Sequence, residues 1–310
     1  NNTGYSFFYA RQGLSWAHNN GAVVYNMSAS SQFDSGWKNN LEKHSTGMFS
    51  NNHWYYGTNG YNGYVNEVAN WKAADNNHTV LTVAAGNNGL DYAAYPGLMA
   101  TVTDEDGNLV LGGRMLIVGN WNTANQQIDP SSNKAGHVCL DWDDAVQQCN
   151  DAYRIKDFYI MAPGSSVYSS VRNNNYNHIS GTSMAAPAVA GAVAVLHQMW
   201  PHMTAPNLAK LLLTTANKQI PNYNENVHGQ GLLDMDMATQ PVGATGIPKT
   251  GRTDGGVAEL SGGISGNIDI GNIASSTMVL DEFERDFYVD LSGANFITDT
   301  RTNSWVKDLN

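Results

Sequence analysis

Residues 177–196 read NHISGTSMAAPAVAGAVAVL. From Thr182 to Trp200 the chain is apolar at almost every position, which predicts a buried helix stopped by Pro201. Its alanines and Gly191 are expected to let it approach its neighbours closely. Ser183 falls in the first turn of that helix. A serine there has two readings. It can be a polar cap, since Ser and Thr are favoured at helix N-termini. It can also be a nucleophile, because the first N–H groups of a helix have no intrahelical acceptor and the dipole favours negative charge. Acyl transfer needs both features around its oxyanion.

Outward from this helix, the preceding sequence alternates between two periods. FFYARQGLSWAHNNG, residues 7–21, predicts a helix presenting Phe7, Phe8, Leu14 and Trp16 and ending at Gly21. AVVYNMS predicts a short buried strand. Residues 29–60 have no clean period and read as a long loop. YNGYVNEVANWKAAD predicts a second helix with Tyr61, Tyr64, Val65, Val68 and Trp71 on one face, and HTVLTVAAGN a strand ending in small residues. Helix, strand, helix, strand implies parallel strands joined by right-handed crossovers, an α/β architecture. A hairpin turning at Asp106-Gly107, a strand within RMLIVGNW and another in FYIMAPG follow. APNLAKLLLTTANK predicts a helix opened by Pro206 that buries Leu208, Leu211 and Leu212. From about residue 245 the composition changes: TGIPKTGRTDGG reads as a linker and the rest as short strands. The expected division is a core over 1–244 and a small β-rich extension over 245–310.

Composition narrows the function classes. A net charge of −11 argues against nucleic acid, which calls for a basic face. With charged residues at only 14%, the chain has the composition of a folded globular protein. Neither CxxC nor HExxH occurs, and the Asp104, Glu105, Asp106 cluster reads as a solvated hairpin tip rather than a metal site. The two cysteines, Cys139 and Cys149, read as a local disulfide closing a surface loop, with free thiols the alternative. The nucleophile elbow of α/β-hydrolases does not fit: it needs Gly two residues after the serine, where this chain has Ala185. The only carboxylate between Ser183 and His228 is Glu225, a poor third member for such a triad.

NHISGTSMAAPAVAGAVAVL closely resembles the active-site serine segment of the subtilisin-like serine proteases, the subtilases. Further segments match in the family's order over roughly residues 10–240: WAHNNGAVVYNMSAS, TVLTVAAGNNG, AAYPG, IMAPGSSVYSS, LLLTTA and GQGLLDMDMA. The resemblance implies a three-layer fold, a parallel sheet flanked by helices. It implies Ser183 as nucleophile, with the Ser183 N–H and the Asn87 side-chain amide as oxyanion donors. For Asn87 the plain alternative is a helix- or turn-capping side chain. Ser28, Ala29 and Ser30, with Ala84, Ala85 and Gly86, would form two edges between which an extended polypeptide substrate adds as a strand. Their small side chains suggest an apolar residue before the scissile bond. Tyr95-Pro96 would be cis. The loops and VLDEFERDFYVDL look like the secreted autotransporter branch, so the expected enzyme is a secreted or cell-surface endopeptidase. Calcium is the cofactor such a resemblance would bring, but no site for it can be placed.

This mechanism needs a histidine base and an acid that orients it. Subtilases carry both before the oxyanion asparagine, and the resemblance here begins after those segments. Asp34 in FDSG and His44 in HSTG imitate the two motifs in order. However, Asp34 follows a polar stretch, His44 stands only ten residues further on, and both come after the AVVYNMS strand. They read as loop residues. His178 adjoins the serine loop and His197 lies far down the helix. The expectation is therefore an incomplete site, inactive by itself, whose base and acid come from an N-terminal segment or whose open surface pairs in a dimer. A triad-less peptide-binding or adhesin-like passenger is the alternative.

Overall fold

The computed structural model describes residues 3–30, 60–104, 106–136, 142–143, 148–149, 152–248, 257–259 and 276–290. The chain forms two compact units, Asn1–Ala238 and Thr239–Asn310. The Asp34 and His44 readings, and Cys139 of the disulfide reading, lie outside the described residues.

In the first unit, α1 (Thr3–Asn19) leads into β1 (Val24–Met27), and α2 (Gly60–Asp75) into β2 (Val80–Ala84). A 3-10 turn (Gly97–Thr101) precedes β3 (Met115–Asn122) and β4 (Gln127–Ile128), followed by the two-residue strands β5 (Trp142–Asp143) and β6 (Gln148–Cys149). Then come β7 (Tyr159–Pro163), the hairpin β8 (Val167–Val171) and β9 (Asn175–Ile179), α3 (Thr182–Met199), α4 (Ala205–Thr215), α5 (Glu225–His228) and α6 (Met235–Ala238). The main sheet pairs β1, β2, β3 and β7 in parallel, with β4 antiparallel on β3. Among the described residues β1 is an edge strand.

Both faces of β2 are buried, as expected for a parallel strand between helical layers. Leu81, Val83, Met115 and Ile117 pack with Leu14, Val68 and Trp71 of α1 and α2. The other face, reached by the period-2 alternation, lies under α3, which contacts all four parallel strands. This is the three-layer α/β arrangement that the resemblance implies, with the parallel strands that the alternating periods predict.

Two readings of helix faces change. Trp16 is 69% exposed while Leu14 is fully buried. Positions i and i+2 of a helix lie about 200° apart, so Leu14 and Trp16 cannot both face the sheet. The α3 helix is also not buried all round. Ala185, Ala186, Val189, Val193 and Leu196 face the sheet, but Val195 and Met199 are 47% and 48% exposed, and a Cβ added at Gly191 would meet open space. A helix on one sheet face buries only the stripe it presents, and α4 covers just part of the rest. The hairpin at Asp106-Gly107 is reduced to a single bridge, Thr103 to Leu109, with the Asp104 carboxylate accepting the Asp106 and Asn108 N–H groups.

In the second unit β10 (Gly246–Pro248), β11 (Val257–Glu259), β12 (Ser276–Leu280) and β13 (Asp286–Asp290) form an antiparallel sheet in the order β11-β10-β12-β13. Gly246–Pro248 is thus a strand where the sequence suggests a linker. A buried Asp281–Arg285 ion pair at 2.6 Å braces the β12–β13 turn, with the Arg285 guanidinium beside the Phe283 and Phe287 rings.

His228 closes the first unit's core near β7. Its Nδ1 accepts the Asn224 N–H at 2.9 Å, and its ring meets Trp121 edge-on and stacks on Tyr223. Burial lowers its pKa below 6.5, so the ring is neutral in the fold. A lowered pKa means that stability is complete above about pH 6.5 and is lost as pH falls through the folded value, because the unfolded chain takes up the proton first. The urea midpoint is expected to fall progressively below about pH 6.5. His228→Gln should remove that slope; an unchanged slope would exclude His228 as its source.

Candidate active site

The site is assembled by the loop Gly181–Ser183, which crosses the carboxyl ends of the parallel strands, where open α/β sheets bind ligands. At one end the Gly181 N–H donates to the Gly164 carbonyl just after β7, at 2.9 Å. In the middle, buried Thr182 reaches the end of β2. Its Oγ1 accepts the Gly86 N–H at 3.2 Å and donates to Asn87 Oδ1 at 3.0 Å, and its N–H donates to the same Oδ1 at 2.8 Å. At the other end Ser183 meets the residue after β1. Ser183 Oγ donates to the Ser28 carbonyl at 3.0 Å, and Ser28 Oγ donates to the Ser183 carbonyl at 2.8 Å.

This geometry leaves two donors free. A backbone N–H can only donate, so the Asn87 atom facing Thr182 is its oxygen, and the amide NH₂ has no partner among the described residues. In the helix start, the Thr182 N–H is taken by Asn87, and the Met184 and Ala185 N–H groups bond the Gly181 carbonyl. The Ser183 N–H is left unpaired among the described residues. An unpaired helix N–H and an anchored, unpaired amide flanking a serine hydroxyl form an arrangement that can hold a developing oxyanion. Asn87 therefore does not cap its own turn. Asn133 does that, its Oδ1 accepting the Asn88 and Leu90 N–H groups at 3.0 and 3.1 Å. Gly181 must be glycine: its φ is +149°, and a Cβ would lie 3.2 Å from Asn87 Oδ1.

Ser28 and Ala84 stand side by side, one residue beyond the Met27–Val83 pair of the β1–β2 register. The two segments differ in what they can offer a peptide. Ala29 and Ser30 have no backbone hydrogen bond to any described residue. The Ala85 N–H donates to Val118 and the Ala85 carbonyl accepts from Ala94, while the Gly86 carbonyl accepts the Asn133 N–H. Residues 28–30 can therefore add a strand, whereas on the other edge the backbone groups of Ala85 and Gly86 are already engaged. The Tyr95-Pro96 bond is cis, and its turn backs that edge through Ala94.

No described histidine bonds Ser183. His178 Nδ1 sits 3.0 Å from the Ser166 carbonyl, and His197 lies fourteen residues along α3, about 21 Å of helix from the nucleophile. Among the described residues no group of three or more His, Cys, Asp or Glu side chains is placed to hold a metal ion, calcium included, and no helix is long and apolar enough to cross a membrane. A cleft of about 470 Å³ lined by Leu109, Tyr153, Phe158 and Lys210 lies at the amino ends of the strands, away from Ser183. Sequence reasoning missed Thr182 and Asn133. Thr182 stands inside GTS, but only its contacts with residues 95 and 96 positions away reveal its task.

Subtilisin DY from Bacillus licheniformis is 38% identical over 81 residues, covering 26% of this chain and 28% of the relative. Subtilisin BL from Lederbergia lenta is 27% identical over 164 residues, covering 50% and 59%. The chain thus spans between about a quarter and three fifths of the length of these relatives. The solved structure of the prenylagaramide maturation protease PagA superposes with a TM-score of 0.47 at 20% identity, over 74% of this chain and 65% of that one. The subtilase (peptidase S8) family model matches residues 1–232, and this chain belongs to the subtilase family.

Proposed function

We propose that residues 1–244 are the serine-bearing part of a secreted subtilisin-type endopeptidase. Ser183 is the nucleophile, and the Ser183 N–H and Asn87 amide form the oxyanion hole. The observation that carries this reading is the pair of unpaired donors beside the Ser183 hydroxyl. The substrate is a polypeptide that adds as a strand along Ser28–Ser30, with an apolar side chain against Ala84–Gly86. In the reaction, Ser183 Oγ loses its proton to a base and attacks the scissile carbonyl, and the carbonyl oxygen gains charge between the two donors. The amine then leaves with a proton, and water hydrolyses the acyl-enzyme. The base and its orienting acid come from polypeptide outside the described residues, seated at the open edge of β1. Two features support that placement: among the described residues β1 has one unpaired side, and the outer face of α3 exposes Val195 and Met199. Residues 245–310 form an appended β-rich extension.

Fluorophosphonate labelling read by intact mass tests the reading. The 310-residue chain alone should not label stoichiometrically. Ser183 should label once a segment supplying histidine and aspartate is present, and Ser183→Ala should abolish the label. Stoichiometric labelling of the chain alone would reject the divided site and return His44 and Asp34 to consideration. No labelling in either form would reject the protease reading in favour of a peptide-binding module.

A further inference from the structure

The hairpin β8–β9 joins β7 to the nucleophile helix, and its register pairs Tyr168 with His178 and Ser170 with Tyr176. Alternation puts these four side chains on one face. On that face the Tyr168 and Tyr176 rings stack at 5.6 Å and 24°, and the His178 ring lies 5.1 Å from Tyr168. Both tyrosines remain exposed, at 65% and 59%. The stack is not serving a core. Stacked rings with wet polar tips are a surface suited to recognition.

The same face runs down to the site. Its next pair is Ser166 with Ser180, where the Ser166 N–H donates to Ser180 Oγ at 2.8 Å. His178 Nδ1 lies 3.0 Å from the Ser166 carbonyl and 3.3 Å from the Ser166 hydroxyl, which ties the ladder to the hairpin root. Gly181 follows directly, bonded to Gly164. Across the sheet ends the order is therefore hairpin and β7, then Asn87 at β2, then Ser28 at β1. A peptide whose acyl half lies along Ser28–Ser30 passes Ser183 and continues on the hairpin side.

We propose that the Tyr168–Tyr176–His178 ladder docks the part of a polypeptide substrate beyond the scissile bond and selects an aromatic side chain there by stacking. This rests on the protease reading. Its test uses fluorescence anisotropy with two labelled Gly/Ser octapeptides, one carrying two tryptophans in its C-terminal half and the other alanines in their place. The full chain is expected to bind the tryptophan peptide about tenfold more tightly. The Tyr168→Ala/Tyr176→Ala variant should lose that preference, and Tyr168→Phe/Tyr176→Phe should keep it, because the rings rather than the hydroxyls make the contact. No preference in the unmodified chain, or a preference that survives the alanine pair, would overturn the proposal. Labelling of Ser183 reports separately on the protease reading. If Ser183 never labels while the ladder keeps its preference, the rings dock peptide without cleavage and the leaving-side assignment is overturned.

Discussion

Asn87→Leu is expected to lower kcat by about 10²–10³ in the enzyme supplied with its base and acid, with KM changed only a few-fold. That scale comes from the corresponding asparagine of a subtilisin and is adopted for Asn87. The reason lies in what the amide touches. Its oxygen is held by the Thr182 N–H and hydroxyl at 2.8 and 3.0 Å, so its NH₂ is preorganised, and in the proposed role it would meet negative charge only as the carbonyl is attacked. A donor engaged mainly in the transition state affects kcat more than binding. Asn87→Asp separates positioning from donation, since it can keep both Thr182 hydrogen bonds but offers no donor and adds a like charge. Its loss should exceed that of Asn87→Leu. Steady-state kinetics on a peptide substrate would check this, and a loss confined to KM in Asn87→Leu would remove Asn87 from the oxyanion hole.

Arg114→Leu is expected to destabilise the first unit by about 3–5 kcal/mol, because it strands a buried carboxylate. Arg114 and Asp75 are both without solvent exposure. Arg114 Nη2 and Nη1 donate to the two Asp75 oxygens at 2.8 and 3.1 Å, and Nε donates to Asn77 Oδ1 at 3.0 Å. Asp75 also accepts the Asn77 and Thr79 N–H groups, at 3.2 and 3.0 Å. The cluster locks the exit of α2 to the entry of β2 and β3. Burial pulls the Arg114 pKa down to about 10, with Asp75 opposing, so the guanidinium stays charged at neutral pH. The Asp75→Leu/Arg114→Leu pair should cost less than the two single losses added together, since neither charge is then left alone. It should still fall short of the unmodified chain, because two backbone N–H groups lose their acceptor. Urea unfolding of the four forms measures the coupling, and strict additivity would deny it.

The sequence by itself determined the parallel α/β order, the position of Ser183 at the start of an apolar helix, and the asparagine after a strand of small residues. Each is a local pattern: a period of 3.6 or 2, a proline stop, a short motif. Only the tertiary structure decided which surface each helix shows. Trp16 and Val195 are as apolar as Leu14 and Val193, and they differ only in what packs over them. It also decided that Thr182 orients Asn87, that the backbone groups of Ala85 and Gly86 are engaged, that Ser28 and Ser183 bond each other 155 positions apart, and that Arg114 seals Asp75. Contacts between distant positions leave no periodic trace along the chain. They exist only once the sheet has brought the strand ends together.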